Sequence, residues 1–223
     1  MGKKKTYNKK KSPSRTKAVM TLLLSSLAVT VTIIAISIYM VFHDKDLKGK
    51  ASNWLEQAGA PVELPIPNEY IPIYKAAEQK FGVSWTLLAA HHRVETRFST
   101  MENMVSPVGA EGHMQFMPCT FVGWSHPTCK ELGQGDISPE DLIDPAVISS
   151  HGGYGVDANG DGKADPWDIE DAVFSAANYL AQNGAADGEL ERAIFNYNRS
   201  DEYVEDILFF YNQYEEEQNN GTE

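Results

Sequence analysis

SWTLLAAHHRVETRF, residues 84–98, is the stretch whose reading decides the fold. Leu87, Leu88, Ala90 and Val94 recur at helical spacing, which predicts a buried helix. Ser84 stands where its hydroxyl can cap the first turn. Val83 and Leu88 stand where a hydrophobic staple forms. Trp85, Leu88, His92 and Glu95 fall on one stripe of that helix. Glu95 therefore lies in the last turn of a mostly apolar helix, where burial and the negative end of the helix dipole both disfavour an anion. A carboxyl that keeps its proton near neutrality suits general-acid chemistry on an ether-like oxygen. The plainer alternative is a surface glutamate paired with Arg93 or Arg97.

Working outward, the pattern stays helical. Tyr70–Phe81 reads as a first helix stopped by Gly82, and Ile169–Asn183 as an amphipathic helix ended by Gly184. The latter should place Ala172, Val173, Ala176, Ala177 and Leu180 on its core face. Glu189–Tyr197 and Glu202–Glu215 complete the set. Ser99–Val108 reads as polar loop and Ala110–Thr120 as a short helix or turn. Trp124–Ser150, rich in Gly, Pro, Ser and Asp, reads as irregular, with brief helical turns near 139–143 and 145–150. No run alternates with period two for long, so the expected class is mainly α. The domain is expected over 68–214, with a fraying acidic tail over 215–223.

The other end of the chain has a different character. Residues 1–17 hold eight Lys/Arg and no acid, so the formal charge of −12 leaves −20 on residues 18–223. An acidic domain of that kind lacks the basic face that nucleic acid requires. Residues 18–42, AVMTLLLSSLAVTVTIIAISIYMVF, contain no charge and are long enough to span a bilayer. The basic arm before them predicts a cytoplasmic N-terminus and an extracytoplasmic remainder, with the segment kept as an anchor rather than cleaved as a signal peptide. Residues 43–67, with Pro61, Pro65 and Pro67, read as an extended stalk.

Three further stretches carry chemistry. DANGDGKADPWDIED, residues 157–171, fits the first half of an EF-hand-type Ca2+ loop. Asp157, Asn159 and Asp161 supply oxygens at positions 1, 3 and 5, Gly162 permits the turn, and the Lys163 carbonyl follows. The closing ligand is open between Asp168 and Asp171, and an acidic turn without metal is the bland alternative. Such a site would be structural. GAEGHMQFMP, residues 109–118, sets Gln115 among Met114, Phe116 and Met117, a composition suited either to a groove for a polar ring with apolar faces or to a core turn. Tyr197 and Asn198, in AIFNYN (193–198), sit at a helix end where they can meet substrate or merely cap. Cys119 and Cys129 can form a disulfide in an oxidising compartment or remain thiols.

Taken together, VETRF (94–98), GHMQFMP (112–118), residues 154–184 and FNYNRSDEYV (195–204) resemble the membrane-bound B type of lytic transglycosylase, goose-lysozyme-like enzymes of peptidoglycan. The resemblance covers about residues 68–214. It implies a lysozyme-like domain, Glu95 as acid and then base, and substrate contacts from Gln115, Tyr197 and Asn198. It also implies Ca2+ held by Asp157, Asn159, Asp161, Lys163 and Asp171 rather than Asp168. The implied reaction cleaves the β-1,4 bond between N-acetylmuramic acid and N-acetylglucosamine to leave 1,6-anhydro ends. Peptidoglycan glycan strands would be the partner, and no second carboxylate from Glu102 or Glu111 would be needed. A hydrolytic muramidase and a non-catalytic wall-binding component are the alternatives. The 119–153 insertion departs from the family pattern.

Overall fold

A computed structural model describes residues 65–130 and 133–220, which fall in one compact unit, Leu64–Glu223. The basic arm, the apolar 18–42 segment and most of the stalk lie outside them. Among the described residues no helix is long and apolar enough to cross a membrane. The elements in order are α1 (Ile71–Phe81), α2 (Trp85–Thr96), α3 (Pro118–Val122), α4 (Pro139–Ile143), α5 (Pro145–His151), α6 (Ile169–Gln182), a 3-10 turn (Ala185–Asp187), α7 (Leu190–Tyr197) and α8 (Asp201–Asn220). Two isolated bridges, Val105 with Glu111 and Glu111 with Phe116, are the β-type pairing seen among these residues. The class is mainly α.

The core follows the apolar stripes. In α2, Leu87, Leu88, Ala89 and Ala90 are completely buried. Helix α2 packs most extensively against α8, while α1 packs across both α2 and α6. The face of α6 formed by Ala172, Val173, Ala176, Ala177 and Leu180 is also fully buried. Small residues on that face let the α6 backbone approach α1 closely. Each large aliphatic side chain buried in this way contributes about 1.5–3 kcal/mol.

Two local expectations are corrected, and one is refined. Ser84 occupies the N-cap position of α2 without a side-chain cap. Its Oγ pairs instead with Thr86 Oγ1 at 2.6 Å, and the Trp85 amide donates to Glu78 Oε1 at 3.2 Å. The expected fraying from residue 215 gives way to helix through Asn220. Glu215 anchors that last stretch by accepting from the Thr86 hydroxyl, which in turn accepts from Ser84 Oγ. Ala110–Thr120, read as a short helix or turn, holds both: a bridged turn over Ala110–Met117 and then helix from Pro118, whose ring suits the first helical position.

Candidate active site

Glu95 sits one residue from the end of α2, half-buried. Its carboxyl is pushed up from 4.5 to about 7 by loss of solvation, against a hydrogen bond from Tyr203 that lowers it. The Tyr203 hydroxyl, delivered by α8, donates to Glu95 Oε1 at 2.5 Å. That hydroxyl has one proton, so the 3.0 Å contact between Tyr203 Oη and His91 Nδ1 must be donated by the histidine. His91 is wholly buried, and burial holds its pKa down at about 3, so the ring is neutral. Its Nε2 is left without a hydrogen-bond partner. With Oε1 held by Tyr203, the transferable proton of Glu95 belongs on Oε2.

The neighbours of Glu95 are phenols rather than carboxylates. Tyr197 and Tyr203 both feel its charge, and each hydroxyl is pushed up mainly by burial. Their rings stack at 6.5 Å with planes 4° apart. Glu102 is exposed, and Glu111 is raised by desolvation and by Asp165 rather than by Glu95. Arg93 donates to the Tyr214 hydroxyl at 3.1 Å and lies 4.0 Å over the Phe210 ring, while Arg97 is exposed.

Helix α2 ends in an unusual turn. Arg97, Phe98 and Ser99 all have left-handed backbone, with φ of 51°, 58° and 63°. Such residues cost roughly 1–2 kcal/mol each relative to right-handed backbone. A polar chain fixes the turn. Tyr74 hydroxyl meets His92 Nδ1, His92 Nε2 meets Ser99 Oγ, and Ser99 Oγ meets His113 Nδ1, each at 2.6 Å. His113 Nε2 then meets the Trp167 carbonyl at 2.9 Å. That carbonyl only accepts, so with neutral rings every proton in the chain has one place, running from Tyr74 to Trp167. His92 is kept neutral by burial, its pKa held down at about 3.

Beside the acid lies a cleft of about 80 Å³ lined by Gln115, Phe116, Met117, Thr120, Tyr179, Asn196 and Tyr197. Tyr197 joins it to the acid: its ring stacks on Tyr203 while its hydroxyl donates to the Met114 carbonyl at 2.7 Å. Gln115, itself left-handed at φ 50°, uses its Nε2 on the Met104 and Gly112 carbonyls at 2.7 and 2.9 Å. Those bonds leave the Gln115 carbonyl oxygen for the cleft. Asn198 is exposed at the end of α7 and does not line the cleft; Asn196 does. His91, Tyr203, Ser99, Tyr179 and Asn196 are the participants that the sequence reading did not single out. His91 could have been found, since it lies one turn before Glu95 on the same face.

The 157–171 loop is organised by its own amides. Asp157 accepts from the Gly160 and Gly162 amides at 2.8 and 3.0 Å, Asn159 from Asp161 at 2.9 Å, and Asp161 from Lys163 at 2.9 Å. Asp168 caps α6, accepting from the Glu170 and Asp171 amides. Asp171 is buried and turns into the loop, accepting from Ala158 at 2.7 Å and Asp165 at 2.9 Å. Burial raises its pKa. Asp171 reaches across the loop, while Asp168 stays on the first turn of α6. Among the described residues, no three His, Cys, Asp or Glu side chains gather as a metal site. The side chain of Lys163 is exposed. Cys119 and Cys129 form a disulfide, so neither is a free thiol.

Comparison with known proteins places part of this architecture. Residues 148–191 match the family described as Transglycosylase SLT domain. The matched segment runs from α5 through the 157–171 loop and α6 into α7, and contains neither Glu95 nor Gln115. The chain is also 25% identical over 148 residues to an L-Ala–D-Glu endopeptidase of Bacillus subtilis (strain 168). That similarity covers 66% of this chain and 42% of the other, so the chain spans less than half the relative's length. No solved structure matches.

Proposed function

We propose that this chain is a peptidoglycan lytic transglycosylase of the membrane-bound B type, with Glu95 as its only acid. The observation that carries this reading is a half-buried carboxyl near pKa 7, flanked by tyrosines and beside a cleft of mixed polar and aromatic lining. The match of residues 148–191 to a transglycosylase domain supports the substrate class. Glu95 Oε2 delivers its proton to the glycosidic oxygen as the bond from C1 of N-acetylmuramic acid breaks. The carbonyl oxygen of that sugar's N-acetyl group bonds to C1, giving an oxazolinium ion. Glu95, now ionised and held by Tyr203, takes the proton of the C6 hydroxyl. The C6 oxygen bonds to C1, the oxazolinium opens, and Glu95 is reprotonated. No water is consumed. The phenolic surroundings support a single-carboxylate route, since a two-carboxylate glycosidase needs a second acid within about 5–10 Å.

Gln115, Tyr197 and Asn198 are proposed to contact the sugars, with Asn196 added from the cleft lining. Ca2+ is proposed in the 157–171 loop, on the oxygens of Asp157, Asn159, Asp161, Lys163 and Asp171, as a structural ion. The chemistry of the donor set supports it: a desolvated Asp171 carboxylate gains from a nearby cation. Residues 18–42 are proposed to anchor the chain, holding the domain outside the cell. A hydrolytic muramidase using the same acid is the second reading, favoured by the partial exposure of Glu95, which gives water a way in. The endopeptidase activity in the relative's name is not carried over, because the likeness is 25% identical and covers 42% of that protein. Mass spectrometry of muropeptides released by the full chain tests the proposal. Anhydro ends that vanish with Glu95→Gln are expected; reducing ends would select the muramidase, and no release would refute glycan cleavage.

A further inference from the structure

Six large apolar side chains are well exposed among the described residues: Met101, Val105, Val108, Trp124, Trp167 and Phe209. Trp124 is distinct within this set because it belongs to the 119–153 insertion, on the loop that the Cys119–Cys129 disulfide closes. The Cys119 amide also donates to the Gly133 carbonyl at 2.9 Å, which fastens the loop's base. A Cβ placed on Gly133 would meet the Trp124 ring at 3.2 Å and Met117 Cβ at 3.6 Å. The benzo edge of Trp124 therefore leans on Gly133 next to Met117, and Met117 lines the cleft. Half of the Trp124 side chain, 52%, stays open.

We propose that Trp124 is a stacking platform for an additional N-acetylhexosamine ring, extending the cleft of Tyr179 and Tyr197 past Met117 along the glycan strand. The proposal rests on the glycan-cleaving reading above. An aromatic face is electron-rich, and the ring hydrogens on one face of a pyranose are electron-poor, so the two stack. The polar lining of the adjoining cleft, with Thr120, Asn196 and Gln115 between aromatic rings, suits the hydroxyl and amide edges of the same strand. The disulfide holds the ring in place before a strand arrives, which reduces the ordering cost of binding.

The test uses the full chain carrying Glu95→Gln, titrated calorimetrically with N-acetylglucosamine oligomers of two and six rings. Adding Trp124→Ala should weaken hexamer binding about five- to tenfold, the effect of one lost aromatic stack, and leave the dimer within about twofold. Trp124→Phe should recover most of the loss, and Phe209→Ala, at the exposed site on α8, should change nothing. Reducing the disulfide should weaken hexamer binding of the parent similarly, with no further loss in Trp124→Ala. Unchanged hexamer binding in Trp124→Ala, equal losses for dimer and hexamer, or a parent that binds no hexamer would overturn the proposal. Trp124-dependent binding without glycan cleavage by the unmutated chain would reject the catalytic reading and keep this subsite. Cleavage with Trp124-independent binding would do the reverse.

Discussion

Replacing Glu95 by Gln separates the charge of this side chain from its shape, and the fold should register the difference as a function of pH. A carboxyl held at about 7 instead of 4.5 keeps its proton in the folded chain over a window in which the unfolded chain has released it. Stability from this group is therefore present below about pH 4.5 and is lost as pH rises through 7. The rise is worth at most about 3 kcal/mol at 1.36 kcal/mol per unit. The side chain is partly open to water, which reduces this to about 1–2 kcal/mol. Gln carries no charge at any pH, fills nearly the same volume and can still accept from Tyr203. Glu95→Gln should thus match the parent at about pH 4.5 and exceed it by about 1–2 kcal/mol at about pH 8, a melting rise of several degrees. Thermal melts of both chains at the two pH values measure it, and contributions from other titrating groups cancel in the difference. Equal shifts at both values, or destabilisation at about pH 8, would refute the claim that Glu95 is a desolvated acid. Glycan cleavage, measured alongside, should fall at least ~10²-fold.

Tyr203→Phe removes the bond that favours the Glu95 anion, so the high-pH limb of the activity profile, set by loss of the Glu95 proton, should move upward by about one unit; a limb that stays or moves down would contradict the assigned donor. The same change strands His91 at both nitrogens and should cost about 1–3 kcal/mol in a denaturant melt. Calcium in hundredfold excess over its Kd should raise stability by about 2.7 kcal/mol relative to chelator, Asp171→Ala should abolish that gain, and Asp168→Ala should lower both melts equally by about 1 kcal/mol through the lost cap; coincident curves for the parent would reject the ion. Replacing Cys119 and Cys129 by Ala should cost about 2–3 kcal/mol, as expected for a short closed loop, read from the shift in denaturation midpoint. Ser99→Ala leaves a buried His92 N–H unpaired and should cost about 1–3 kcal/mol, with kcat falling more than KM rises; an unchanged kcat would mean that the turn after Glu95 needs no such pin.

The longer helices were legible because apolar residues recur in them at helical spacing, and the fully buried faces of α2 and α6 are those stripes. The position of Glu95 in the last turn of α2 was legible for the same reason. What surrounds it was not. Tyr203 reaches Glu95 across 108 residues of chain, and no local pattern encodes that approach. Ser84 has the residue type for a cap, yet Glu78 and Glu215 compete for the same end of α2 from outside the local sequence. Asn198 follows Tyr197 directly in the sequence, but α7 ends at Tyr197 and leaves Asn198 exposed. Asn196, still within the helix, lines the cleft. In the 157–171 loop, residue type alone offered two closing aspartates. The two take different places along α6: Asp168 stands at its N-cap, and Asp171 stands one turn in, facing the loop.

The loop and the acid are mechanically linked, and His113 is the joint. Asp171 holds the Asp165 amide, and the next two residues offer their carbonyls to His113, Pro166 to its amide and Trp167 to its ring. Gly112 permits this approach, since a Cβ there would stand 2.0 Å from the Pro166 oxygen. From His113 the contacts pass to the end of α2 by two routes, through Ser99 to His92 and from the Thr96 hydroxyl to the His113 carbonyl at 2.8 Å. Both routes close around the left-handed residues that follow Glu95. Three successive non-glycine residues in that conformation persist only where the surroundings over-determine them. Here the over-determination comes from the loop side as well as the helix side. An ion that stiffened 157–171 would therefore act on catalysis through the placement of Glu95, with no contact to substrate and no part in proton transfer.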